Sequence, residues 1–270
     1  MYIARKFGNR HPEDNRHILE LAVDVAMEAG KLQRDKFRDN RLRMDTKSSM
    51  HDVVTEVDKA CEALLIERIS SHYPNHSILG EETGEHHKDG DWEWVIDPLD
   101  GTNNYSQGLP IFCVSIGVKF QGETQVGVVY LPYLDELFTA VRGEGASWNG
   151  RFIHVAKKTD LNECVVATGF PYDKGTNPQN NLDNVNALVP TLRGIRRMGS
   201  AAYDLCCVAC GLLDGYWELN LKPWDVCAGS LIVEEAGGEI MPFRDDRDIS
   251  IVAGNRHVIK AIYERLNRNI

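Results

Sequence analysis

The sequence predicts a layered α/β or α+β fold, on three observations. Stretches with helical apolar periodicity open and close the chain, short apolar runs of strand character lie between them, and two-residue turn signals join some of those runs. The turn signals are Gln121-Gly122 and Asn149-Gly150, which favour hairpins, so at least part of the sheet is expected to be antiparallel.

The elements follow in order. Asp14 or Asn15 is placed to cap a first helix, in which Ile18, Ala22, Val25, Ala29 and Leu32 keep the helical period. Thr55-Glu56-Val57-Asp58 has capping-box spacing and opens a second helix, with Val57, Cys61, Leu64 and Leu65 as its buried stripe. After Tyr73-Pro74, strands are expected at Ile78-Leu79, Trp94 to Ile96, Ile111 to Phe120, Thr124 to Tyr130 and Leu137 to Val141. The second half alternates strands near Val165 to Ala167, Ile195 to Met198, Tyr216-Trp217 and Ile249 to Ala253 with helices. Those helices run near Leu182 to Val189, from about Ser200 to Leu212, from Trp224 to Ala236 before the stop at Gly237-Gly238, and on to Leu266. No linker run and no repeat divides the 270 residues, so the two halves are expected to pack as one unit.

Composition excludes several classes. Hydrophobic content of 43% and charged content of 26% are those of a globular protein rather than a disordered or fibrous one. The net charge of -10 disfavours direct binding to nucleic acid or anionic lipid, although Arg193, Arg196 and Arg197 are candidates for a local basic patch. Met1 to Arg16 has no apolar leader segment, and no stretch reaches the roughly 18 apolar residues of a membrane span, so a cytoplasmic protein with no membrane partner is expected. Seven cysteines in apolar contexts fit reduced thiols, and Cys207-Val-Ala-Cys210 is expected to be core on a helix.

The chemistry is concentrated in Trp94-Val-Ile-Asp97-Pro-Leu-Asp100-Gly-Thr102. An apolar strand ends in an aspartate, Pro98 fixes the departing backbone, and Asp100-Gly101 makes a tight turn, which aims two carboxylates into one crevice. A helix opening at Thr102 would add exposed N–H groups suited to phosphate. Magnesium takes hard oxygen ligands at about 2.0 to 2.1 Å, keeps waters and uses few carboxylates plus substrate phosphate. Two further segments supply acids: Gly80-Glu81-Glu82 after a strand, and Lys222-Pro-Trp224-Asp225 at a helix start, where Asp225 also suits the helix dipole.

Together these segments resemble the inositol monophosphatase family over nearly the whole chain. The family's G-E-E element stands at Glu81, its D-P-[IL]-D-G-[ST] signature at Asp97 to Thr102, and its second signature at Trp224-Asp225 with Glu235-Ala-Gly-Gly238. Lys47-Ser-Ser, Asp52 to Asp58, Gly199-Ser200-Ala201 and Glu218 also match. The resemblance implies a layered αβαβα sandwich over residues 1–270, with most metal ligands in about 1–150 and the alcohol pocket with Asp225 in about 151–270. It implies magnesium, two or three ions per site: Glu81, Asp97 and the Leu99 carbonyl for one, Asp97, Asp100 and Asp225 for a second, and a looser third sharing Glu81. Asp58 would orient Thr102, a role expected to conflict with its capping-box place unless the side chain turns from the helix end. Glu81 and Thr102 would position an attacking water, and Asp100, Gly101, Thr102, Asp225 and Lys47 would meet substrate. Gly199, Ser200, Ala201 and Glu218 would face the alcohol, while Lys222-Pro223 departs from animal members beside Asp225.

Charge supports the assignment. Glu81, Asp97, Asp100 and Asp225 sum to -4, which repels unless cations intervene, and a third magnesium would leave +2 for a phosphate monoester dianion. The expected reaction is hydrolysis of a small polyol phosphate, foremost inositol 1-phosphate, by a metal-activated water. The alternatives are fructose bisphosphate, histidinol phosphate or 3'-phosphonucleotide hydrolysis, or a binding role on transcription machinery as in some bacterial members. A compact Glu82 to Trp92 segment leaves little room for an elaborate lid, which weakly favours small polyol phosphates. Lithium sensitivity and a homodimer are further implications of the resemblance.

Overall fold

The computed structural model describes residues 12–39, 43–46 and 53–266. Helix α1 (Pro12–Lys36) begins ahead of the expected cap at Asp14 or Asn15. Proline suits a first helical turn, where its missing N–H would have had no partner. A hairpin of β1 (Met44–Thr46) and β2 (Val53–Thr55) leads into α2 (Glu56–His72), with Thr55 as its N-cap. Apolar positions of α1 and α2, among them Ala22, Val25, Ala29, Cys61 and Leu65, are fully buried against the first sheet. Each buried Val or Leu contributes about 1.5–3 kcal/mol, so this stripe outweighs helix propensity in fixing the layer.

That sheet has eight strands in the order β10-β9-β8-β7-β6-β5-β3-β4. They are β3 (Ser77–Gly80), β4 (Gly84–His86), β5 (Trp92–Asp100), β6 (Cys113–Phe120), β7 (Glu123–Leu131), β8 (Glu136–Val141), β9 (Gly145–Trp148) and β10 (Arg151–Phe152). Gln121-Gly122 and Asn149-Gly150 close two-residue hairpins, with positive φ at all four residues, as primed turns require. The one parallel pairing in this sheet joins β3 to β5.

The second sheet has the order β12-β11-β13-β15-β14, from β11 (Val165–Thr168), β12 (Gly194–Arg196), β13 (Gly215–Leu221), β14 (Glu239–Arg244) and β15 (Ile249–Gly254). Helices α5 (Ala201–Ala209) and α6 (Pro223–Glu235) lie between the sheets, where their buried faces join strands of both in one core. At the end of α6, Glu235 accepts from Gly143 N and Gly145 N at 2.8 and 2.9 Å, which ties the helix to the β8–β9 turn. Helices α4 (Leu182–Leu188) and α7 (Arg256–Leu266) cover the outer face of the second sheet. The layers are therefore αβαβα. Among the described residues all seven cysteines are free thiols; of the C-x-x-C, Cys207 is buried on α5, as a core reading requires, while Cys210, at the C-cap of that helix, is only partly buried. No helix among them is long and apolar enough to cross a membrane.

Candidate active site

Strand ends make the site. Gly80 on β3 pairs in parallel with Ile96 on β5, so the next residues, Glu81 after β3 and Asp97 still on β5, stand side by side. The carboxyl ends of parallel strands are where such sheets place ligands. Asp97 pairs with Ser115 and Asp100 with Cys113, three residues against two, so one extra residue is inserted as a bulge. Pro98 sits in it, with no N–H to lose, and its carbonyl accepts from Gln33 Nε2 at 2.6 Å. The bulge turns both aspartates toward a cleft of about 730 Å³ between the sheets.

Gly101 follows with φ +96°, and a Cβ there would stand 2.8 Å from the Ile111 carbonyl, so the turn excludes larger residues. It caps the short α3 (Thr102–Ser106). The N-terminal ends of α3, α5 and α6 face the same cleft through Thr102, Ser200 and Trp224, bringing positive dipole ends to one place.

The acids each commit one oxygen to the scaffold. Asp97 Oδ1 accepts from Leu99 N at 3.0 Å, and Asp225 Oδ2 accepts from Lys222 N at 2.7 Å. Asp100 Oδ2 accepts from Ser200 Oγ and Ala202 N, both at 2.8 Å, at the start of α5. Asp58 serves both its expected roles at once. Its Oδ2 accepts from Thr55 N and Thr55 Oγ1 at 2.9 and 2.5 Å as the capping box, while Oδ1 accepts from Thr102 Oγ1 at 2.8 Å. The expected conflict between capping and orienting Thr102 is thus corrected, because a carboxylate has two oxygens. Thr102 Oγ1 also lies 3.0 Å from the Leu99 carbonyl.

Electrostatics marks the cluster. Asp97 is pushed well above the usual carboxylate range by burial, then by the charges of Glu81, Asp100 and Asp225, and it shares a hydrogen bond with Glu81. Two carboxyls at that range need a shared proton or a cation between them. Burial, then Asp100, likewise raises Asp225. Asp100 is raised by burial, against its bonds to Ser200 and Ala202 and the charge of Arg197. Among the described residues no group of three His, Cys, Asp or Glu side chains stands ready as a complete metal shell. The donor chemistry nonetheless fits magnesium, which uses few carboxylates and fills its shell with water and substrate phosphate.

Of the predicted site residues, Glu81, Asp97, Leu99, Asp100, Gly101 and Thr102 line the cleft on one side. Gly199, Ser200, Ala201, Glu218 and Asp225 line it on the other. Asp58 stands behind Thr102, and Lys47 lies outside the described residues. Glu218 accepts from Tyr216 OH at 2.6 Å, and burial pushes it up to about 7, against that hydrogen bond and the charge of Arg197. Arg197 lines the cleft itself rather than an outlying basic patch.

Two acids escaped sequence reasoning. Glu62 on α2 is fully buried and accepts from Glu82 N and Thr83 N at 2.9 and 2.7 Å, which holds the turn carrying Glu81. A Cβ on Gly80 would stand 2.7 Å from that carboxylate, so the glycine lets α2 approach. Asp204 on α5 is 1% exposed and also lines the cleft. Its flanks, Tyr203 and Leu205-Cys206-Cys207, were the available signal: an acid in an apolar helical run is seldom solvent-facing.

A carboxylate-lined cleft at strand and helix ends thus lies between the two sheets of an αβαβα sandwich. The sequence profile of the inositol monophosphatase family matches residues 14–270. The chain belongs to that family. Among its relatives, Nus factor SuhB of Pasteurella multocida is 43% identical over 254 residues, covering 92% of this chain and 95% of the relative. The Escherichia coli protein of the same name is 43% identical over 250 residues, 91% and 94% of the two chains. Similar solved structures include inositol monophosphatase from Anabaena, with TM-score 0.85 and 39% identity over 94% of this chain and 97% of that one. The extragenic suppressor protein suhB of Bartonella henselae superimposes with TM-score 0.87 and 38% identity, covering 94% and 100%.

Proposed function

We propose that this protein hydrolyses a small polyol phosphate monoester in a magnesium-dependent reaction, with inositol 1-phosphate the foremost candidate, and that residues 1–270 act as one catalytic unit. One observation carries the reading: Glu81, Asp97, Asp100 and Asp225, from three separate segments, line one cleft with a hydroxyl already oriented beside them. Magnesium, when bound, would neutralise these acids together with the phosphate dianion and lower the pKa of water. Glu81, Asp97, Asp100, Asp225 and the Leu99 carbonyl are the groups to hold it.

The chain's own part is positioning. Thr102 donates its only hydroxyl proton toward Asp58 and the Leu99 carbonyl, which leaves its lone pairs to accept from a water. Glu81, whose turn Glu62 holds through the two residues after it, is the group to take that water's second proton. The N–H groups at the starts of α3 and α5 favour the phosphate anion, and Glu218 meets the hydroxyls of the leaving alcohol. Such a reaction draws mainly on orientation and charge neutralisation, because phosphoryl transition states are loose.

A second reading is favoured by the relatives' name, Nus factor SuhB: a binding role on transcription machinery. We also carry forward a homodimer and a cytoplasmic location as proposals from the family. The test is phosphate release, with magnesium, from inositol 1-phosphate, fructose 1,6-bisphosphate, histidinol phosphate and a 3'-phosphonucleotide. The highest kcat/KM is expected for inositol 1-phosphate. No release from any of the four would overturn the enzymatic reading, and capture of RNA polymerase by an inactive Asp100→Asn protein would support the binding role.

A further inference from the structure

The phosphate end of the cleft is built from strand and helix ends, but the alcohol end is walled by irregular chain. Phe170, Pro171 and Tyr172 line it, in a segment running from the end of β11 to the start of α4. That segment is braced within itself by the side chains of Asn177, Asn180 and Asn181, and it is held from a distance by the turn between β14 and β15, through Gln179 on Asp246 and above all through one arginine. Arg247, in the turn between β14 and β15, is only 9% exposed. Its Nη2 donates to both oxygens of Asp173, at 2.8 and 3.0 Å, and its Nη1 to the Gln179 carbonyl at 3.1 Å. Its Nε reaches Asn220 Oδ1 at 3.4 Å, and Asn220 lines the same cleft, in a left-handed conformation with φ +66°.

The neighbouring residue reaches the other wall. Asp248 Oδ2 accepts from Lys222 Nζ at 2.6 Å, and Lys222 N is the donor that holds Asp225. Ser250 locks the turn from beneath, donating to the Arg247 carbonyl at 2.8 Å and accepting from Asn220 N at 3.2 Å. One short turn therefore joins the wall carrying Phe170 and Tyr172 to the wall carrying Asn220 and Asp225.

We propose that Arg247 is a positioning residue that sets the width of the alcohol end, and through it the preference for a compact, hydroxyl-bearing ring. This rests on the phosphatase reading above. The planar guanidinium suits the task because it presents donors in fixed directions to three partners, which an ammonium on a flexible stem does not. The Asp173 pair alone would be weak, since that acid is 42% exposed, but the buried guanidinium also satisfies a carbonyl and an amide oxygen. Loss of Arg247 should free the segment without touching the phosphate end.

The test has two arms. Steady-state kinetics with magnesium would compare inositol 1-phosphate with an aryl phosphate, whose flat ring makes no hydroxyl contacts. Arg247→Ala should raise KM for inositol 1-phosphate about tenfold while kcat, and both constants for the aryl ester, stay within about twofold. Arg247→Lys should recover part of the loss, and Asp173→Asn, a near-isosteric change at a partly exposed residue, should reproduce the split if Arg247→Ala folds poorly. Equal losses on both esters, or none on either, would overturn the proposal. The second arm is tryptic cleavage after Lys174, which should be faster in Arg247→Ala and in Asp173→Asn than in wild type. Unchanged cleavage would overturn the positioning role whether or not the protein is a phosphatase. Faster cleavage in a protein that hydrolyses neither ester would overturn the phosphatase reading and, with it, the selection of the alcohol.

Discussion

A carboxylate has two oxygens, and Asp97, Asp100 and Asp225 each use one to fasten the chain at the cleft, while Asp58 behind Thr102 uses both. Their side chains are thereby fixed before any ligand arrives. Asp204 differs, because its Oδ1 is buried with no hydrogen-bond partner among the described residues. Burial, then the charges of Glu218 and Asp100, push its pKa well above the ordinary carboxylate value, against the opposing charge of Arg197. A carboxyl whose pKa is raised on folding favours the folded state while protonated. That contribution is full below the unfolded value near 4 and is lost as pH rises toward the folded value. Asp204→Asn, which cannot ionise, should therefore melt higher than wild type at pH 8, with the difference shrinking as pH falls toward 4. A gap that is constant with pH would show that Asp204 does not titrate on unfolding. At this scale the four cleft acids were legible because each follows a strand end or opens a helix beside Gly or Pro. Asp204 and Glu62 were not, since a single acid inside a helix carries no turn signal.

At the scale of elements, the pairing of β3 with β5 brings Glu81 beside Asp97. Sequence could place both strand ends but not their adjacency, because turn signals report antiparallel neighbours and a parallel partner arrives through a crossover. The short strands β1, β2, β4, β9 and β10 also went unseen, for they hold too few residues to display a period, and the six-residue β14 carries Pro242, which argues against a strand. What fixes the turn after β3 is Glu62, two N–H groups on one carboxylate. Glu62→Gln leaves one acceptor and turns an NH2 toward a backbone donor, so one N–H loses its partner. Bonds to charged groups contribute about 1.5–3 kcal/mol, so urea unfolding should show a loss in that range with an unchanged m-value. Stability equal to wild type would mean that the turn holds without Glu62.

At the scale of the molecule, the αβαβα order was legible in outline as alternating helical and strand patterns, and the resemblance supplied the layers. The walls of the cleft were not legible. The short segment from Glu82 to Trp92 forms an edge hairpin with β4, whereas one wall of the cleft is the segment between β11 and α4. Its anchor, Arg247, is 74 residues from Asp173 in sequence, with no local pattern to announce the pair. The cleft needs both sheets: Asp97 and Asp100 come from the first, while Glu218 lies on the second and Asp225 on the helix between them. The central claim, that this divided cluster works through magnesium on a phosphate ester, is tested most directly by phosphate release from inositol 1-phosphate as magnesium is titrated into metal-stripped wild type and Asp97→Asn. Wild type should be inactive after chelation and rise to a plateau with magnesium, and Asp97→Asn should remain at least about a hundredfold slower throughout. Full wild-type activity in chelator, or an Asp97→Asn rate close to wild type, would contradict the account.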